Sequence, residues 1–272
     1  MQLAELLTLT PHGTDAFVGR GHAYPWGGLY GGHIVAQALR AAGHTVAPDL
    51  QVHSLRAYFI RRGDHAEPVR YEVDRLRNGR SFATRRVVAR QSGGAILNLE
   101  ASFQVHEEGV DRPFVPFPSG VPTPESLDPS AWGQGFDRRV VPTEKVDSSG
   151  GWGQGRCQAW MRSTGEGGDD PLLEASIVAY LSDDLPTDAA FRAHPQIALR
   201  LAAQATELGV YSASLDHSVW FHRPVRADQW HLYDMACVTL VGNRGLTMGS
   251  VFDQHGHHVA TVTQEVLVRD AR

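Results

Sequence analysis

One unit is written twice in this chain. Residues 52–105 read as four strands: VHSLRAYFI, VRYEVDRLR, SFATRRVVAR and AILNLEASFQV. Residues 213–268 repeat that pattern as ASLDHSVWFH, WHLYDMACVTL, GLTMGSVFD and HHVATVTQEVLV. The turns recur at matching places. Asn78-Gly79 and Gly242-Asn243 separate the second and third strands, and Ser92-Gly93-Gly94 and Gln254-His255-Gly256 precede the fourth. Asn-Gly is a strong hairpin signal, because both central residues of a type I′ turn need positive φ. Val69, Tyr71 and Val73 alternate with polar residues, so their strand is expected to bury one face. A duplicated unit of this kind builds a site at its seam, from residues far apart in sequence.

A helix precedes each set of strands. Trp26-Gly27-Gly28-Leu29-Tyr30-Gly31-Gly32 approaches the helical pattern HIVAQALRAAGHTV, in which Ile34, Val35, Ala38, Leu39 and Ala42 share a face. Alanines at 36, 38, 41 and 42 make that helix slim enough to lie close against a curved sheet. In the second half CQAWMRST suits a first strand. Asp170 as N-cap and Pro171 at the first helical position then start LLEASIVAYLS, with Leu173, Ile177, Tyr180 and Leu181 on one face. Asp183-Asp184 ends that helix. Residues 187–209 read as partly helical, broken at Pro195 and stopped at Gly209. Leu6 to Phe17 reads as a short opening strand. Each half is therefore strand, helix, then an antiparallel four-stranded run. That order excludes a βαβ parallel fold and fits an α+β unit whose sheet curls around one central helix.

The chain divides on this reading into an N-terminal unit at 1–110, a linker at 111–155 and a C-terminal unit at 156–272. Pro113, Pro116, Pro118, Pro122, Pro124 and Pro129 interrupt any ladder in the linker, which is expected to run extended over the surface. It holds two copies of Trp-Gly-Gln-Gly, at 132–135 and 152–155, read as coincidence in a glycine-rich stretch. The 272 residues suffice for two units of roughly 120 residues with ordinary cores. No apolar run is long enough to span a membrane. MQLAELLTLTPHG lacks the basic start and apolar core of a signal peptide. Only Cys157 and Cys237 occur, too few for a disulfide framework, so a reducing cytoplasm is the expected setting. A net charge of −5 argues against a nucleic-acid binder, though a local arginine cluster could still meet an anionic small ligand.

Three stretches carry a family resemblance. Gly31-Gly32-His33-Ile34-Val35-Ala36-Gln37-Ala38-Leu39 resembles the glycine-rich helix start of the type II acyl-CoA thioesterases (TesB-like). His53 to Asp64 (HSLRAYFIRRGD) resembles their first-half strand, and Arg77-Asn78-Gly79-Arg80-Ser81-Phe82 the hairpin after it. Leu215 to Pro224 (LDHSVWFHRP) resembles their second-half strand. The resemblance implies a double hotdog: two antiparallel sheets, each wrapped around a central helix, in tandem in one chain. It implies hydrolysis of fatty acyl-CoA to free fatty acid and CoA, with neither metal nor cofactor. It also implies a homodimer or higher homo-oligomer. Such enzymes hold a water with an Asp, a Thr or Ser, and a Gln. These fall on Asp183, Ser214 and Gln264, with Asp184 the rival to Asp183 and Ser standing where Thr was expected.

The chemistry accounts for those residue types. A thioester leaves as a thiolate whose parent thiol has a pKa of about 8.5, so delivering water and holding the oxyanion matter more than protonating the leaving group. Asp183 can take the water's proton, and Ser214 and Gln264 can direct it by hydrogen bonds. Gly31 and Gly32 would let the thioester approach helix N–H groups closely. Gln264 lies between Val262 and Val266 at even spacing, hence on an apolar face where a polar group needs a partner or a task. Arg61, Arg62, Arg77 and Arg80 are candidates for the CoA phosphates, against a plain reading as solvated strand ends. His255, His257 and His258 read as a polar turn rather than a metal site. Asp216-His217-Ser218 holds triad residue types, but neighbours in a strand face opposite ways, so Asp216, His217, Trp220 and Phe221 read as structural. A hotdog dehydratase or hydratase, or a hotdog module that binds acyl-CoA or lipid without turnover, are the alternatives.

Overall fold

The computed structural model describes residues 2–146, 155–165, 168–205 and 207–270. Helix α1 (Leu3–Leu6) and the short strands β1 (Thr10–Pro11) and β2 (Ala16–Gly19) come first. This replaces the single opening strand expected over Leu6–Phe17. Helix α2 (Gly31–Gly43) leads into β3 (Leu50–Phe59), β4 (Val69–Asn78), β5 (Phe82–Gln91) and β6 (Gly94–Val105). Strand β7 (Phe136–Val140) precedes β8 (Arg156–Ser163), and helices α3 (Pro171–Ser182), α4 (Leu185–Ala193) and α5 (Pro195–Ala202) follow. The chain closes with β9 (Val210–Ser214), β10 (Asp216–Phe221), β11 (His231–Val241), β12 (Arg244–Asp253) and β13 (His258–Asp270).

All of these strands belong to one sheet, in the order β1-β2-β4-β5-β6-β3-β10-β13-β12-β11-β8-β7, with β9 also on β13. Two separate sheets were expected. Instead the ladders of the two halves join edge to edge through β3 and β10, antiparallel, with Leu55 opposite Val219 and Ala57 opposite His217. The join covers what would be an exposed edge on each half.

Two hairpins differ in kind. Gly242 and Asn243 both have φ near +60°, as a type I′ turn requires. Asn78-Gly79 does not use positive φ; Asn78 remains in β4, and its Oδ1 accepts from Arg85 Nη2 at 2.7 Å. Arg85 is 2 % exposed and also donates to the Thr45 hydroxyl and carbonyl, just past α2. A buried guanidinium at a helix C-terminus is favoured by the helix dipole.

Part of the stretch read as a linker packs into the second half. Strand β7 extends the ladder beyond β8, and Leu127, Val141 and Val146 are buried against Trp160, Trp230 and Phe252. Trp132 of the first WGQG copy packs among Tyr24, Trp26, Tyr30 and Phe136. Trp152, Gly153 and Gln154 of the second copy lie outside the described residues.

One apolar core runs through both halves, from Leu39, Leu97 and Leu99 to Ile177, Val219 and Val262. Helix α2 packs on strands of the first ladder and α4 on β8, β11, β12 and β13 of the second. Helix α3 packs chiefly on α2. The two run antiparallel: Arg40 near the end of α2 pairs with Asp170 at the start of α3 at 2.6 Å, and Gly32 near the start of α2 meets Asp183 at the end of α3. Ten of the 13 residues of α2 are buried, including faces away from the apolar stripe, because sheet and α3 enclose it.

Glycine sets the approach of the pair. A Cβ on Gly32 would stand 2.3 Å from the Tyr180 carbonyl oxygen, and one on Gly31 would stand 2.6 Å from Asp183 Oδ2. The three atoms nearest a Cβ on Gly43 would all be side-chain carbons of Leu172. Gly32→Ala is therefore expected to destabilise the chain by about 2–3 kcal/mol, since backbone cannot move aside. Gly43→Ala should cost less than about 1 kcal/mol, because Leu172 can change rotamer and alanine favours the helix. Urea unfolding of the two variants measures the difference.

Candidate active site

Asp183 follows the last residue of α3, and its carboxylate reaches the first turn of α2. Oδ2 accepts from the Gly32 N–H at 2.7 Å, and Oδ1 accepts from the Ser214 hydroxyl at 3.3 Å. Ser214 ends β9, and its Oγ also accepts from Gln264 Nε2 at 2.7 Å. Gln264 lies in β13 and is fully buried, as its place between Val262 and Val266 implies. The three side chains named from the sequence thus form one hydrogen-bonded group drawn from a helix end and two strands. Burial is the largest influence on Asp183 and pushes its pKa up to about 7; hydrogen bonds from Gln264, Gly32 and Ser214 pull against it, and the nearby Asp184 charge adds to the rise.

Asp184 is held elsewhere. Its Oδ2 accepts from Arg138 Nε at 2.6 Å and its Oδ1 from Trp132 Nε1 at 2.5 Å. Arg138 also binds Asp188 at 2.8 Å. Asp184 thus lies outside the hydrogen-bonded group that Asp183 forms with Ser214 and Gln264. Both Trp132 and Arg138 come from the stretch read as a linker.

A fourth side chain joins the group. His217 Nδ1 lies 2.5 Å from Gln264 Oε1, and its Nε2 lies 2.8 Å from Ser182 Oγ. It is fully buried, and burial lowers its pKa to about 4. Strand alternation places Ser214 and His217 on opposite faces, yet both meet Gln264. The chain departs from the regular pleat between β9 and β10. Leu215 N–H binds the Glu265 carbonyl at 2.9 Å, and the Asp216 carboxylate accepts the Glu265 N–H at 2.7 Å in place of a backbone carbonyl. An irregularity of this kind re-aims side chains beside a site. Its one legible sign is the short acidic side chain of Asp216 amid a strand pattern.

The glycines and arginines fall differently from expectation. The Gly32 N–H is already taken by Asp183, and the side where a Cβ of Gly31 or Gly32 would lie is filled by Asp183, Phe59, Tyr30 and the Tyr180 carbonyl. Arg61 donates to the Ala95 carbonyl at 3.0 Å, and Arg62 to the Trp26 carbonyl. Both follow β3 at the end where Phe59 pairs with Leu97 and touches Gly31. Arg80 sits in the β4–β5 hairpin beside Phe82, which pairs with Gln104 at the opposite end of β6. The antiparallel ladder separates Arg61 from Arg80, so they form no common cluster. Arg77 stacks on Phe82 in that same hairpin. His257 binds Asp253 within its turn, and no group of three or more His, Cys, Asp or Glu that could hold a metal occurs among the described residues. No helix there is long and apolar enough to cross a membrane.

Comparison with known proteins agrees with this architecture. A conserved protein with a hot dog fold from Alicyclobacillus acidocaldarius superposes with a TM-score of 0.78 at 20% identity, over 98% of each chain. The acyl-CoA thioesterase II TesB2 from Mycobacterium marinum superposes with a TM-score of 0.85 at 36% identity, again over 98% of each chain. The fold is a hotdog fold of the thioesterase type. Residues 22–104 match the acyl-CoA thioesterase N-terminal domain, and residues 108–268 match the acyl-CoA thioesterase C-terminal domain. Mouse acyl-coenzyme A thioesterase 8 is 35% identical over 293 residues, covering 98% of this chain and 88% of that protein. The chain belongs to the acyl-CoA thioesterase family.

The Arg138 cluster supports the site from behind. Arg138 and Asp184 are 10 % and 6 % exposed at their side chains. Breaking a buried pair leaves a desolvated charge, at a cost of about 3–5 kcal/mol. Arg138→Ala should lose stability in that range by urea unfolding, whereas Arg162→Ala, whose pair with Asp137 is about two-fifths exposed on each side, should lose less than about 1 kcal/mol.

Proposed function

We propose that this protein hydrolyses fatty acyl-CoA thioesters with a water activated by Asp183. The observation that carries the reading is the Asp183–Ser214–Gln264 group, closed by the N-terminus of α2. Asp183, with a pKa near 7, is ionised in about half of the molecules at neutral pH, yet basic enough to accept a proton from water. Ser214 directs that water, and Gln264, whose amide donates to both Ser214 and Asp183, holds the two in place. Its oxygen bonds to the thioester carbon as its proton passes to Asp183. The carbon–sulfur bond then breaks, and the CoA thiolate leaves to take a proton. First-turn N–H groups of α2 that the Tyr30 side chain does not cap are suited to the oxyanion. Arg61 and Arg62, at the same end of the sheet, suit the CoA phosphates; Arg80 does not.

The tandem double-hotdog organisation is part of the same reading, with units at 1–110 and 156–272 and the intervening stretch serving the second. Sliding RAYFIRR (56–62) onto SVWFHRP (218–224) aligns Val52 with Ser214 and Leu55 with His217. Leu55 pairs with Ala101 in β6, so Ala101 is the equivalent of Gln264. The polar set therefore exists at one end of the helix pair and has apolar counterparts at the other. At that other end the Asp170 side chain accepts the Leu172 and Leu173 N–H groups and closes α3. A cleft of about 1440 Å³ opens there, with Val52, Phe103 and Leu172 in its wall. One reactive end per chain follows.

Thiol release from a panel of acyl-CoAs tests the assignment. Asp183→Asn should lower kcat by about 10²–10⁴-fold. Binding of acyl-CoA with no thiol release from the wild type at any chain length would point to a carrier instead. For the wild type, log kcat should fall with unit slope below pH of about 7, where Asp183 takes up its proton.

The same carboxylate gives a stability signature. Its folded pKa lies above the unfolded value of about 3.9, so its contribution is fully present below pH of about 4 and is lost as pH rises through about 7. Asp183→Asn removes the charge and keeps the shape. Its Tm at pH of about 8 should equal or exceed that of the wild type by calorimetry, even as activity disappears.

A further inference from the structure

We infer that His217 is a positioning residue for hydrolysis: held as the Nδ1–H tautomer, it fixes which end of the Gln264 amide faces Ser214. The inference rests on the function proposed above and extends it to a side chain that touches neither Asp183 nor the reacting atoms. Gln264 has two chemically opposite ends, and rotation by half a turn exchanges them with little change of shape. Something must set the rotation if Nε2 is to donate toward Ser214.

The hydrogen-bond inventory leaves two consistent arrangements. In the first, the Ser182 hydroxyl donates to His217 Nε2, and His217 Nδ1–H donates to Gln264 Oε1. Gln264 Nε2–H then donates to Ser214 Oγ, and the Ser214 hydroxyl donates to Asp183 Oδ1. In the second, each bond from Ser182 to Ser214 reverses and the bond to Asp183 is lost. Ser182 donates to the Ala179 carbonyl, 3.0 Å away, and His217 Nε2–H donates to Ser182. Gln264 then turns its NH₂ to His217, and Ser214 donates to the amide oxygen. Asp183 Oδ1 is left facing a lone pair. An ionised carboxylate, acceptor only, selects the first arrangement. His217 carries one ring proton in both. A proton on each nitrogen would be accepted by Gln264 Oε1 and by Ser182 Oγ, whose own hydroxyl would turn to the Ala179 carbonyl, but complete burial disfavours the charged imidazolium.

Three features make this more than packing. Asp216 bends the strand so that His217 points inward beside Ser214. Ser182 directly precedes Asp183, so the far end of the relay is anchored on the element that carries the carboxylate. In the other half Leu55 fills the matching place, and a leucine there is compatible with a well-packed ladder. The hydrogen-bonding nitrogen, not the volume, is what distinguishes position 217.

The test combines variants with a measurement on the unaltered chain. His217→Leu should lower kcat by about 10²-fold with KM changed less than about 3-fold, matching Gln264→Ala. The double variant should lose no more than either single, because both remove one oriented donor. His217→Asn, whose amide can donate to Gln264 Oε1 from nearly the same place, should recover activity to within about 10-fold of wild type. Selective ¹⁵N-histidine labelling of the wild type should show one neutral ring protonated at Nδ1 at pH of about 8, a readout that needs no variant to fold. Wild-type kcat in His217→Leu alongside a disabled Gln264→Ala would overturn the inference and leave the hydrolase assignment standing, as would a ring protonated at Nε2. Undiminished activity in both Asp183→Asn and Gln264→Ala would instead remove the assignment on which it rests.

Discussion

The antiparallel docking of α2 on α3 is the constraint on which the rest depends. It sets the first turn of one helix against the last residue of the other, close enough that Gly32 N–H reaches the Asp183 carboxylate at 2.7 Å. Asp183 thereby sits between helix ends of opposite polarity. The N-terminus of α2 favours its negative charge, and the C-terminus of α3 opposes it. With those two influences set against each other, burial governs, and the pKa rises. Any side chain at Gly32 would separate the helices and remove the backbone N–H that, with Gln264 and Ser214, moderates the rise. The closeness of the packing and the basicity of the carboxylate are thus one structural fact.

The sheet supplies the other partners by a different route. Joining β3 to β10 makes the ladder continuous, and β13, which pairs with both β9 and β10, brings Gln264 and Ser214 together across neighbouring strands. A regular pleat would have delivered only one of Ser214 and His217 to that face. The break at Leu215-Asp216 delivers both. Its cost is a backbone N–H at Glu265 without a ladder carbonyl, and the Asp216 carboxylate offsets that by accepting it. Asp216 therefore acts on the site through the backbone alone.

The repeat was legible because alternation and turn residues are local. The four strands of each half and both principal helices could be read from Val69-Tyr71-Val73, from the alanine-rich stripe after Gly32, and from the Asp170-Pro171 cap. What escaped reading depended on contacts across the chain. Asn78-Gly79 carries the signature of a type I′ turn, yet Arg85 takes the Asn78 side chain and Asn78 stays in the strand. Trp132 and Arg138 lie in a proline-rich stretch with no periodicity, and only their distant partner Asp184 gives them an ordered place. Gly31 and Gly32 stood out as glycines, but the surface they approach is a helix end of the same chain. The Asp183–Ser214–Gln264 set came from family likeness, because nothing local distinguishes an Asp after a helix or a Ser in a strand. His217 was passed over for a sound reason, since the alternation rule holds everywhere along that strand except at the bulge beside it.

Duplication would be expected to yield two equivalent helix junctions, and the differences between them show what the proposed chemistry requires. Both junctions keep the antiparallel contact, and both place a carboxylate at a helix start. At Asp170 that carboxylate is the cap of its own helix, bound to Leu172 and Leu173 N–H groups and to Arg40 at 2.6 Å. Both of its oxygens are engaged, its pKa is lowered, with the Arg40 guanidinium and those N–H groups outweighing burial, and it is a poor base. At Asp183 the carboxylate belongs to the opposing helix, carries no basic partner, and is matched only by neutral donors. Exchanging a cation for a serine, an amide and one backbone N–H turns a structural ion pair into a carboxylate that can gain and lose a proton near neutrality. The Arg138 cluster completes the distinction by drawing the adjacent Asp184 charge into a pair of its own, which leaves Asp183 as the acid whose proton is free to move.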